Sequence, residues 1–167
     1  CYFSGRSELL TLRGAESVKR APSLSARAMY SLFYVNELVL RLTAPRDPNG
    51  ELFGAYEAVI EGFCRNETLE PLLRKFEKNL LDALGLGLNL ETEADSTIPI
   101  DPARAYYYVV EHGAVTTPNA LTSIKVSGQA LQALSGKIAF TPEDLREAKL
   151  LMRYVIDYHL EGRKLTS

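Results

Sequence analysis

Residues 69–84 constrain the fold more than any other stretch of the chain. Leu69, Leu72, Leu73, Phe76, Leu80, Ala83 and Leu84 recur at three- and four-residue steps, the period of one apolar helix stripe that other elements must cover. Thr68 supplies a capping hydroxyl at the start, and Pro71 falls in the first turn, where a missing N–H is tolerated. Gly85-Leu86-Gly87 stops the helix, because glycine adopts the left-handed conformation that helix C-termini use. The triplet is superficially like a phosphate loop. It comes after a helix instead of leading one, so its amides do not lie at a helix N-terminus.

Four further helices and a little sheet complete the pattern. Residues 24–42 are apolar on nearly every side, broken only by charges such as Arg27, Glu37 and Arg41, which predicts a buried central helix capped by Ser23. Residues 44–50 hold Pro45, Pro48 and an Asn-Gly step and end it. A second helix is expected over about 51–63, a short one from a Ser127 cap to Leu134, and a last one to about Leu160. The last opens at Thr141-Pro142-Glu143-Asp144, close to a capping box. Residues 88–104 read as a polar, acidic loop, and 106–117 as a small hairpin turned at His112-Gly113. At the start, residues 2–13 read as strand-like pieces around a turn at Ser4-Gly5-Arg6-Ser7, too little sheet to stand alone.

With 167 residues, 46% hydrophobic and 24% charged, the composition excludes disordered, collagen-like and disulfide-rich classes. Cys1 and Cys64 form neither a disulfide framework nor a zinc ribbon, and a reducing intracellular compartment is the default. No run of 18 apolar residues exists, so no membrane partner is expected. The first residue is Cys within an already strand-like segment, which suggests a sequence that starts inside a longer protein. A net charge of -2 gives no global signal for nucleic acid. That value is a cancellation. Arg6, Arg13, Lys19, Arg20 and Arg27 make the start basic, whereas Glu91, Glu93, Asp95 and Asp101 make the middle acidic.

No reacting constellation is visible. His112 reads as a turn residue and His159 as a cation at a helix C-terminus; neither sits in a nucleophile elbow, HExxH or Walker pattern, so no enzyme, cofactor or catalytic residue is expected. The acids at 91–101 lack calcium-loop spacing and read as a solvated loop, so no metal is expected. Arg74, Lys75 and Lys78 flank the 69–84 stripe. A leucine pocket with such a rim could take a peptide that ends in an apolar side chain and a carboxylate; alternatively Glu70 pairs with Arg74 on a solvated face. Arg146, Lys149 and Arg153 recur along the last helix, with Arg163 and Lys164 beyond it, and could track phosphates.

The run Arg74-Lys75-Phe76-Glu77 through Leu80-Leu81 and Leu84-Gly85-Leu86-Gly87 resembles the helical region of the bacterial recombination mediator RecO, with its R-x-F-E-x-x-L-L-x-x-L-G-x-G pattern. Tyr34-Val35-Asn36-Glu37-Leu38 resembles the signature in that family's first long helix. Leu145 to Lys149 and on to Arg153 resembles its final helix, and residues 162–167 the segment after it. The resemblance spans about 2–167. It implies a mainly α fold, a helical bundle domain with a small β-hairpin insertion and a remnant strand of an N-terminal OB-fold. Residues 1–20 would be that remnant and a linker, and 21–167 the helical domain with a hairpin and loop subdomain at about 88–126.

The implied function is a non-enzymatic, cytoplasmic and nucleoid-associated mediator of DNA repair. Such a protein binds single- and double-stranded DNA, mainly through the OB-fold, and anneals strands. It also engages the tail of single-stranded DNA-binding protein (SSB) and acts with RecR to load RecA. The family's SSB-tail site maps onto Arg74, with Lys75, Lys78, Leu73, Leu81 and Leu84 around it; Arg13, Lys19, Arg20, Arg146, Lys149, Arg153, Arg163 and Lys164 are the DNA candidates. Many members hold zinc with four cysteines after the Gly-x-Gly end. Residues 88–105 have no cysteine, which points to the zinc-free branch. A stand-alone helical ligand- or peptide-binding regulatory domain is the alternative reading.

Overall fold

The computed structural model describes residues 1–5, 11–16, 23–118, 123–160 and 165. Strands β1 (Tyr2–Ser4) and β2 (Thr11–Gly14) pair antiparallel, with Tyr2, Phe3 and Leu12 exposed. Helix α1 (Ala26–Leu42) begins two residues later than its sequence pattern suggests. Ser25, not Ser23, is the cap: it is extended and its hydroxyl accepts the Ala28 N–H at 3.2 Å. Helix α2 (Gly50–Cys64) is capped by Asn49, whose side chain accepts the Leu52 N–H at 2.9 Å and donates to the Ala83 carbonyl at 2.8 Å.

Helix α3 (Leu69–Ala83) occupies the centre and packs against α1 and α2. Thr68 stands at its N-cap position without a side-chain cap bond. At the other end Gly85 has φ +73°. The Leu86 N–H reaches the Leu81 carbonyl at 2.9 Å and the Gly85 N–H the Asp82 carbonyl at 3.0 Å, the paired bonds of a Schellman stop.

Beyond the acidic loop, β3 (Ala105–Val109) is flanked by β4 (Gly113–Val115) and β5 (Ser123–Ser127), all antiparallel. The hairpin forms as the sequence suggests, but its turn lies at 110–112 and Gly113 already pairs with Val109; the third strand is additional to it. Alternation buries Tyr106 and Tyr108 while Tyr107 faces the other way. Helix α4 (Gly128–Leu134) starts at the expected Ser127 cap, and α5 (Pro142–His159) opens with a full capping box between Thr141 and Asp144. Both pack on α3 and on β5, so helices and sheet share one core.

The expectation that the 24–42 helix is the buried centre is corrected. Only Ala28, Val35 and Leu38 of α1 are buried, whereas Tyr30 is 73% and Leu40 80% exposed, with Met29 and Phe33 also open. All-round apolarity reports that a helix has apolar faces, not how many of them neighbours cover. The helix with a single sharp stripe, α3, is the one that other elements surround.

Gly128 marks the tightest junction. A Cβ there would fall 2.0 Å from the Asp101 carbonyl oxygen and 3.1 Å from the Tyr106 ring, so the loop and α4 can approach only over a glycine. Gly128→Ala is expected to destabilise the protein by about 3 kcal/mol or more, since backbone has to move. Urea unfolding measures it; Gly54→Ala, whose Cβ meets nothing within 4 Å, is the matched control.

Candidate functional site

Helical spacing puts a carboxylate inside the α3 stripe. Glu77 lies one turn from Arg74 and among Phe76, Leu80 and Leu81, and it is 0% exposed. A buried carboxylate needs donors, and two helices supply them. Tyr34 of α1 donates to Glu77 Oε1 at 2.8 Å, and Arg74 donates to the same oxygen through Nη2. Arg74 itself is 6% exposed. Its Nε and the other oxygen, Glu77 Oε2, are both buried and have no hydrogen-bond partner among the described residues. The pair therefore meets end-on, through one nitrogen and one oxygen, in place of the two-bond fork that arginine and carboxylate can form.

Burial pushes the Glu77 carboxyl above the usual carboxylate range, opposed by the Arg74 charge, the Tyr34 and Arg74 hydrogen bonds, and the more distant Lys149 charge of α5. Tyr34 is driven well above the ordinary phenol value by burial and by Glu77, with Arg74 opposing and Asp157 of α5 adding to the rise. Tyr34 therefore remains a hydrogen-bond donor at any physiological pH.

The surrounding residues hold this cluster in place. Val35 and Leu38, on either side of Asn36 and Glu37, are fully buried and seat α1. Asn36 accepts from the Tyr56 hydroxyl of α2 at 2.7 Å, and Glu37 pairs with Arg41 at 2.9 Å. The Tyr34-to-Leu38 segment is thus a docking strip for α1, with each side chain given a separate contact.

Several candidates sit differently from what their spacing suggests. Arg74 is not an open rim cation, and its partner is Glu77 and not Glu70; Leu81 is likewise fully buried. Leu73, Lys78 and Leu84 are half-buried. Lys78 is tied to Asp82 at 2.6 Å, and exposed Lys75 lies about 100° round the helix axis from Arg74. Among the DNA candidates, Arg13 is exposed and donates to Ser4 Oγ at 2.7 Å. Arg146, Lys149 and Arg153 are exposed along α5, where Arg146 pairs with Glu143 and Arg153 lies 3.8 Å from Asp157. Lys19, Arg20, Arg163 and Lys164 lie outside the described residues. Both histidines border one cleft of about 280 Å³ between the Gly85–Asn89 turn, the β3–β4 turn and the end of α5, with His112 3.2 Å from Asp95. Sequence spacing does not single out Glu77 or Tyr34 as site residues. The signal available is an acid at an inward position of the α3 stripe.

Residues 23–167 match the family model described as "Recombination protein O C terminal", so the bundle is of the kind that closes recombination proteins of this type. The chain is 42% identical to the DNA repair protein RecO of Methylococcus capsulatus over 99% of its own length and 67% of the relative's. It is 38% identical to that of Nitrosococcus oceani (99% and 68%) and 37% identical to that of Aromatoleum aromaticum (99% and 69%). The chain belongs to the RecO family.

The raised Glu77 carboxyl fixes a sign for stability. The folded state holds that proton more tightly than the unfolded state, so this group favours folding most at low pH and loses that contribution as pH rises from its unfolded value through its folded one. Glu77→Gln is expected to improve relative to wild type between pH 5 and pH 8 in urea unfolding; a constant difference would contradict it. Tyr34→Phe removes one hydrogen bond to the buried Glu77 carboxyl and is expected to cost about 0.5–3 kcal/mol at pH 7 in the same measurement.

Proposed function

We propose that this protein is a RecO-type recombination mediator in DNA repair. Its helical part receives the acidic C-terminal tail of SSB, and it acts with RecR to load RecA. The observation that carries this reading is Arg74: a guanidinium held at the meeting of α1, α3 and α5 by a single end-on contact, with an unused donor, and next in the chain to half-buried Leu73. Such a group suits a chain-terminal carboxylate, and Leu73 suits the apolar side chain that carries it. Lys78 and Lys75 add positive charge that speeds capture of an acidic tail.

DNA contact is a second part of the proposal. Arg146, Lys149 and Arg153 give α5 an exposed cationic line, and Arg13 is exposed on β2; Lys19, Arg20, Arg163 and Lys164 are further candidates by sequence. The exposed Tyr2, Phe3 and Leu12 on a bare two-stranded ribbon support the reading of residues 1–20 as OB-fold remnant and linker, with 21–167 as the helical domain. Among the described residues no helix is long and apolar enough to cross a membrane. A cytoplasmic, nucleoid-associated protein without cofactor or catalytic group is the form proposed.

Fluorescence anisotropy with a labelled acidic peptide ending in Phe tests the tail site. Arg74→Ala is expected to weaken binding at least about tenfold, the effect of losing one charged hydrogen bond. Unchanged affinity would remove Arg74 from the site. For DNA, Lys149→Ala with Arg153→Ala is expected to weaken oligonucleotide binding and to lower the slope of log affinity against log salt by about one per lost phosphate contact. An unaltered slope would take α5 out of the DNA surface.

A further inference from the structure

Arg74 and Glu77 pose a problem for the tail site, because the cation meant for an external carboxylate already holds an internal one. Glu77 is completely buried, and Arg74 is nearly so. Their contact is nevertheless under-bonded: one oxygen of Glu77 receives both the Arg74 and the Tyr34 hydrogen bonds, the other receives none, and Arg74 Nε has no partner among the described residues. An arrangement that leaves a buried donor and a buried acceptor unpaired is held weakly relative to its desolvation cost. An incoming chain-terminal carboxylate can offer Arg74 the two-bond fork that Glu77 does not.

The loss of Arg74 to a ligand would upset the charge balance at Glu77. The titratable and charged groups facing that carboxyl are Tyr34 from α1, Arg74 from α3 and Lys149 from α5, with Asp157 of α5 beside Tyr34. Once Arg74 turns to a ligand, Glu77 keeps only a neutral phenol donor and the remote Lys149 charge. A carboxylate without a close cation in a fully buried site does not stay ionised.

Resting on the peptide-binding reading of Arg74, we propose that Glu77 and Tyr34 form a proton-released latch on Arg74: a ligand carboxylate takes the guanidinium from Glu77, and Glu77 takes up a proton from solvent as its partner leaves. Tyr34 then accepts no new charge. It keeps its hydrogen bond to the neutral carboxyl and holds that group in place for the return. Glu77 and Tyr34 are positioning residues, whereas Arg74 touches the ligand. Acidic, carboxylate-terminated partners are therefore bound more tightly as pH falls, by at most about tenfold per pH unit for one coupled proton.

The test is calorimetric titration of the protein with a short acidic peptide ending in Phe, at pH 6 and pH 8, in two buffers of different ionisation enthalpy. Wild type is expected to take up a proton on binding and to bind several-fold more tightly at pH 6. Glu77→Gln, which cannot ionise, is expected to bind more tightly than wild type at pH 8 and to take up none. Tyr34→Phe removes the donor that favours the ionised carboxylate, so the fall in affinity with pH is expected to move to higher pH; it serves where Glu77→Gln does not fold. Wild-type binding without proton uptake, uptake that persists in Glu77→Gln, or a Tyr34→Phe profile that does not move overturns the latch. Arg74→Ala separates the two levels. If it binds the peptide as wild type does, the tail site itself is elsewhere and the latch falls with it; if it binds weakly while uptake is absent in wild type, the tail site stands and only the latch is lost.

Discussion

A carboxylate with no exposure to water must be given its hydrogen bonds by the fold, and the donors to Glu77 come from two helices. Tyr34 reaches it from α1 and Arg74 from its own helix, while Lys149 of α5 adds charge at longer range. The relative position of α1 and α3 is thereby fixed by chemistry that apolar packing alone would not enforce. Leucine and phenylalanine contacts tolerate sliding by fractions of a turn; a phenol aimed at one carboxylate oxygen does not. Phe76, Leu80 and Leu81 supply the burial, and the polar cluster supplies the register.

Features written locally are legible in the sequence. The Schellman stop after α3, the Thr141–Asp144 box and the Ser127 cap each depend on residues within a turn of one another, so spacing is enough. The hairpin from β3 to β4 is legible for the same reason. β5 is less so: Ser-Ile-Lys-Val-Ser alternates polar and apolar, but it is only five residues long and its pairing with β3 is set by residues about twenty positions away. Ser25 and Ser23 are chemically equal as caps. The choice between them depends on where the chain turns to bring Ala28 and Val35 onto the core.

The site is half legible. Arg74 is marked by its place beside the apolar stripe, yet spacing cannot tell an arginine on the rim from one folded back onto an acid at the next turn. Glu77 sits in plain view as a charge among Phe76, Leu80 and Leu81. A charged residue on an inward face is most readily taken as the edge of that face, and only the Tyr34 hydroxyl, 43 positions earlier, shows that it is inside. The Tyr-Val-Asn-Glu-Leu segment is informative as a likeness to RecO proteins; its physical content, one contact per side chain, needs α2 and α3 to be present.

The Asn49 side chain that caps α2 also grips the last carbonyl of α3, that of Ala83. One amide thus closes the start of one helix and the finish of another. Fraying at either end frees a side chain that the other end also uses, so the two ends are coupled through Asn49. The loop between α1 and α2, with its prolines at 45 and 48, becomes a fastener whose failure would loosen the exit of α3 and the Gly85–Gly87 turn beyond it.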